Sequence, residues 1–117
     1  REMEANVWSD PRVLEMLRNE YVIIALYVDD KTTLPEDEWM VNSKGKKKKT
    51  SIGSKNSAFQ ISKFDANAQP YYCLMGHNGE LLVEPRSYNL DKDAFVDFLK
   101  KGVENFNNGV SIRNIFE

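Results

Sequence analysis

Apolar positions along the chain fall into segments of two different periods. Met3, Val7 and Trp8 share one helical face, which predicts a helix over residues 1–8. Ser9-Asp10-Pro11 breaks that pattern: either Ser9 or Asp10 can cap a new helix, and proline suits a first helical turn. Val13, Leu14 and Leu17 then form the stripe of a short helix ending near Asn19. Tyr21 to Val28, YVIIALYV, is almost continuously apolar and rich in β-branched and aromatic side chains, the pattern of a strand covered on both faces in a parallel sheet. Ser54 to Phe64 reads as a helix capped by Ser54, with Ala58, Phe59, Ile61 and Phe64 on an imperfect stripe.

The clearest local signal is a hairpin. Pro70 opens a strand where a missing N–H does least harm, Tyr71 to Met75 is β-prone, and Asn78-Gly79 is a strong two-residue turn signal. Leu81 to Val83 closes the pair, and Glu84-Pro85-Arg86 ends the second strand. The Gln69–Pro70 bond is a candidate cis peptide. Asp91 to Phe106 is the strongest helix, capped by Asp91, with Ala94, Phe95, Phe98, Leu99 and Val103 at helical spacing and Asn107-Asn108-Gly109 as its stop. The tail has four apolar residues, Val110, Ile112, Ile115 and Phe116, which can dock on the body or on a part outside these 117 residues. Strand, helix, strand, hairpin and C-terminal helix in this order predict a small α/β sandwich with a mixed sheet, in one domain over 1–117. If Tyr21–Val28 and Tyr71–Met75 are parallel, their crossover is right-handed.

Composition narrows the function classes. With 117 residues, 41% hydrophobic and 29% charged, the chain is long enough to bury a core unaided. A net charge of −2 argues against a general nucleic-acid or membrane role. The longest loop, about 31–54, holds an acidic patch (Glu36, Asp37, Glu38) and the basic run Lys44 to Lys49, with Trp39 and Met40 expected to tuck against the body. The run reads as a solvated loop or hairpin tip; a phosphate or nucleic-acid patch is the sharper alternative, which no interleaved aromatic supports. One cysteine, Cys73, and one histidine, His77, leave no intrachain disulfide, no metal site and no Cys–His pair. Cys73 reads as a small buried hydrophobe and His77 as a solvated turn residue.

One resemblance joins these pieces. Arg1-Glu2-Met3-Glu4, Ser9-Asp10-Pro11-Arg12-Val13, Tyr21 to Asp29, Gln69-Pro70-Tyr71-Tyr72 and the Asp91–Phe106 helix together resemble the C-terminal thioredoxin-like domain of DsbD-type thiol:disulfide interchange proteins. The likeness covers almost the whole chain and is weakest in the long loop. In that family a C-x-x-C pair stands immediately before the position of Arg1, fed by a central first strand; both fall outside this chain. The resemblance implies a thioredoxin-like sandwich and thiol–disulfide interchange without a cofactor. It also implies an exported, periplasmic or envelope location, protein dithiols and disulfides as substrates, and a role in redox homeostasis or cytochrome c biogenesis. A membrane electron-transfer domain upstream is the further partner it implies, and nucleic acid is not among its partners. By the same resemblance, Glu4 lies one helical turn past the second cysteine position and modulates its pKa. Pro70 is the cis-proline facing the redox pair, and Ala68 and Gln69 offer backbone groups to an extended substrate. The chain by itself is then expected to be inactive, and a non-catalytic thioredoxin-like binding module is the alternative.

Overall fold

The structure, a computed structural model, describes residues 2–117; the expectations at Arg1 lie outside the described residues. Helix starts follow the side chains that can cap them. A π-helical segment, Glu4–Trp8, begins the chain and, with the turn before it, buries Met3 and Val7. Asp10 caps α1 (Pro11–Glu20) by accepting the Arg12 amide N–H at 2.9 Å, with proline in the first turn. The Arg12 guanidinium also bonds the Asp10 carboxylate, and these contacts hold that carboxyl down at about 2. α3 (Lys92–Asn108) starts where the Asp91 carboxylate accepts the Ala94 amide N–H at 2.9 Å, and it ends at Gly109 with φ +67°. Arg12 reaches Asp93 in the first turn of α3, so a surface ion pair ties the starts of the two helices.

All strand pairing among the described residues is antiparallel and two-stranded: β1 (Met40–Val41) with β2 (Lys47–Lys48), β3 (Tyr71–Tyr72) with β5 (Arg86–Ser87), and β4 (Glu80–Leu81) with β6 (Arg113–Asn114). The hairpin forms around Asn78-Gly79, where glycine takes φ +89°, and Met75 bridges Leu81. It continues past the expected end at Arg86. From Met75–Leu81 to Tyr72–Arg86 the first strand advances three residues and the second five, a two-residue bulge through Val83-Glu84-Pro85. Proline has no N–H to leave unpaired there. The C-terminal tail docks through β6 and buries Ile115.

The contacts divide the chain into two compact units, one of residues up to Ile23 together with Ala68–Glu117, the other of Ile24–Asn67. The core of the first is Met3, Val7, Val13, Leu74, Leu82, Phe95, Val96 and Leu99, closed by Tyr72, Phe98 and Trp8. Tyr21 adds a hydroxyl donating to the Leu99 carbonyl at 2.6 Å, and burial pushes its pKa up to about 12. Asn105 on α3 is the unit's buried polar tie, its Nδ2 donating to the Leu82 carbonyl at 2.8 Å. Asn105→Ala is expected to cost about 2 kcal/mol, since it orphans a buried carbonyl, with the loss read from urea unfolding.

The expected two-sided strand Tyr21–Val28 is corrected. Tyr21 to Tyr27 is extended but joins no ladder among the described residues, so the mixed sheet does not form through it. Val22 and Ile24 are 90% and 79% exposed. A strand needs a neighbour to satisfy its backbone and cover its faces, and no described segment provides one.

In the second unit, α2 (Ile52–Phe64) starts three residues earlier than expected. Ser51, not Ser54, is the cap: its hydroxyl accepts the Ser54 amide N–H at 3.1 Å. The first-turn amides of Ile52 and Gly53 donate instead to the Thr32 and Asp30 carbonyls, each at 2.8 Å. The lysine run becomes the solvated hairpin β1–β2, turned by Asn42, whose side-chain oxygen accepts the amides of Lys44 and Lys46. Thr50 anchors its base, accepting the Met40 amide and donating to the Lys48 carbonyl.

Candidate functional site

Of the residues singled out by sequence, Pro70 leads directly into β3 and Glu4 lies near Tyr72 on it, both in the first unit. The Gln69–Pro70 peptide bond is cis and delivers the chain into Tyr71 and Tyr72. Alternation then sends the two tyrosines to opposite faces. Tyr72 lies against the Trp8 ring at a centroid distance of 5.9 Å and edge-on to Phe95 at 5.4 Å. Burial raises its phenol pKa, and the nearby Glu4 carboxylate raises it further. The N-terminal helical segment and the strand that Pro70 opens therefore meet through Trp8, Glu4 and Tyr72. Tyr88, just beyond β5, closes the same side by donating its hydroxyl to the Glu2 carboxylate, a bond that raises the Tyr88 pKa.

The other face carries Tyr71 and Cys73, two residues apart. Burial raises the Tyr71 pKa, followed by the effects of Cys73 and Glu84. Burial also pushes the Cys73 thiol up to about 11, against a smaller opposing pull from Arg113. Glu4, Ala68 and Gln69 are exposed, and Pro70 is half-buried. His77 sits on the hairpin turn, solvent-exposed, with its ring centroid 5.1 Å from that of Phe106.

No family model matches the chain, and no curated protein matches it. What the site can do is therefore read from its own groups. Among the described residues, no group of three or more His, Cys, Asp and Glu side chains can hold a metal ion, and no helix is long and apolar enough to cross a membrane. Cys73 is the thiol the chain has, and its environment favours the protonated, unreactive form. Iodoacetamide should accordingly alkylate native Cys73 about a hundredfold more slowly at pH 8 than the denatured chain does, two decades for a shift from 9.0 to about 11. The sign for stability follows. The raised acid favours the fold fully below pH 9, and that contribution fades as pH rises from 9 towards 11, where the unfolded chain ionises first. Alkaline unfolding of wild type against Cys73→Ala checks this, the variant showing the shallower loss.

Two participants escape a reading of the sequence. Trp8 reads there as packing alone. Arg86 reads as the end of a strand, because the two-residue bulge that sets it opposite Tyr72 leaves no periodic signal.

Proposed function

We propose that this chain is the thioredoxin-like portion of a DsbD-type thiol–disulfide interchange protein of the periplasm or cell envelope. Its sheet would be completed by a strand pairing with Tyr21–Val28, and its C-x-x-C pair would precede Arg1. The observation that carries this reading is the tilted contact of the Trp8 and Tyr72 rings, centroids 5.9 Å apart. It joins the N-terminal helical segment to the strand opened by Pro70, and in this reading that segment would follow the redox pair. The extended, unpaired Tyr21–Tyr27 run supports it as well, being the conformation a central strand needs before a neighbour arrives.

In this reading, a thiolate at the start of the helical segment attacks a protein disulfide, forming a mixed disulfide. The second thiol resolves it, leaving the substrate reduced and the pair oxidised. In this reading Glu4 would be the carboxylate beside those sulfurs, and the backbone of Ala68 and Gln69 would receive an extended substrate. The electrons would reduce disulfides of periplasmic partner proteins or serve cytochrome c maturation.

The test is the polypeptide encoded upstream of Arg1, expressed with this chain and assayed for insulin disulfide reduction. A C-x-x-C there, with activity lost on Cys→Ser replacement, is the expected result. Serine or alanine at either cysteine position, or no alkylatable pair beyond Cys73, overturns it in favour of a non-catalytic binding module.

A further inference from the structure

Three hydrogen-bond donors lie buried without an acceptor: the Arg86 Nε–H, the Arg86 Nη2–H and the Trp8 Nε1–H. The two arginine donors share one edge of the guanidinium and point the same way, the edge that takes both oxygens of a carboxylate. Arg86 faces Tyr72 directly across the β3–β5 pair, so the two side chains share a sheet face. Trp8 lies against the same Tyr72 ring. Arg86 and Trp8 are therefore both neighbours of Tyr72. Arginine stays charged at any accessible pH, and burying its N–H groups unpaired is costly. A group of donors with no acceptor among them selects a ligand that only accepts.

We propose that Arg86 and Trp8 form a binding site for a carboxylate, held bidentate on the Arg86 edge and capped by the Trp8 indole. The chain's own neighbouring carboxylates are otherwise engaged or directed: Glu2 receives the Tyr88 hydroxyl, and Glu4 is exposed, its field falling on the Tyr72 phenol. Arg86 as a residue is only partly buried, and Ser87 and Tyr88 beside it are exposed. The site is independent of any thiol chemistry. The carboxylate comes from a small acid or from an acidic side chain of a bound polypeptide.

Nitrogen-detected proton spectra of the labelled chain test this. The two tryptophans provide a probe and a control, because the Trp39 indole already donates to the Leu34 carbonyl at 2.9 Å. Sodium acetate, added against sodium chloride at constant ionic strength, should shift the Trp8 indole N–H and the Arg86 Nε–H saturably and leave Trp39 in place. A blocked tripeptide with a central glutamate is the second arm: saturation by both probes assigns a polypeptide side chain, and saturation by acetate alone a small acid. Arg86→Lys keeps the charge but loses the two-pronged edge and should weaken acetate at least tenfold. Trp8→Phe keeps the ring and should weaken it less. Should Arg86→Lys fail to fold, the wild-type Arg86 Nε–H and Trp8→Phe still decide. Shifts linear in acetate and equal to those in chloride, or Arg86→Lys titrating like wild type, overturn the proposal.

Discussion

Phe95→Ala should remove about 4 kcal/mol of stability, the largest loss of any single truncation in the first unit. Phe95 is 1% exposed and sits on the inner face of α3. Its ring meets Tyr72 edge-on at 5.4 Å and Phe98 at 5.6 Å, so truncation empties the centre of the aromatic cluster as well as removing apolar area. The surrounding elements cannot close the gap, because α3 is held at both ends by Asp91 and Gly109 and along its length by Asn105. Domains of this size carry only about 5–15 kcal/mol in total, so the variant should lie near the edge of folding. Urea unfolding followed by Trp8 fluorescence gives the number. Phe95→Leu, which refills most of the volume, should cost about 1.5 kcal/mol or less. A loss under about 1 kcal/mol for the alanine variant would show that the cluster repacks freely, against the close packing expected of such cores.

The second large effect is expected in the other unit, at Gly53. A Cβ there would stand 2.4 Å from the Val28 carbonyl oxygen, 2.7 Å from the Asp30 oxygen and 2.8 Å from the Asp30 nitrogen. All three are backbone atoms, which do not swing aside as a side-chain tip does. Alanine is the better helix former by up to about 1 kcal/mol, a gain that works against the clash. Overpacking costs about 1–3 kcal/mol, and three contacts this short belong at the upper end, so a net loss of about 2 kcal/mol is expected. The reason reaches beyond sterics, because the Gly53 amide donates to the Asp30 carbonyl and the Ile52 amide to the Thr32 carbonyl. Pushing α2 away breaks both. Hydrogen exchange at Ile52, Gly53 and Leu34 should accelerate about thirtyfold in Gly53→Ala. Unchanged or slower exchange would mean that the start of α2 tolerates the methyl group.

These two positions also mark where reading the chain succeeds and where it stops. Phe95 is legible because its neighbours Phe98 and Leu99 recur at helical spacing and Asp91 announces the start of the helix. Gly53 is not, because nothing in IGSKN says that a distant backbone passes within 3 Å. Ser51 and Ser54 are equally good caps by residue type. Only the carbonyls of Asp30 and Thr32, which take up the first amides of α2, choose between them.

Local rules that need a few neighbouring residues are therefore carried by the chain alone. They include the proline in the first turn of α1, the Asp91 cap, the Gly109 stop, the Asn78-Gly79 turn and the solvation of the lysine run. What needed the folded molecule is everything settled by a partner far along the chain. Tyr21–Tyr27 has the composition of a buried strand, yet strand pairing is a property of two segments, and the exposed, ladderless state of Val22–Tyr27 follows from the lack of a second among the described residues. The bulge at Val83-Glu84-Pro85 shifts register by two, and that shift sets Arg86 opposite Tyr72, the residue whose ring Trp8 also meets. A cluster of unpaired donors has no sequence signature, since it exists only once distant backbone segments have fixed which groups face one another.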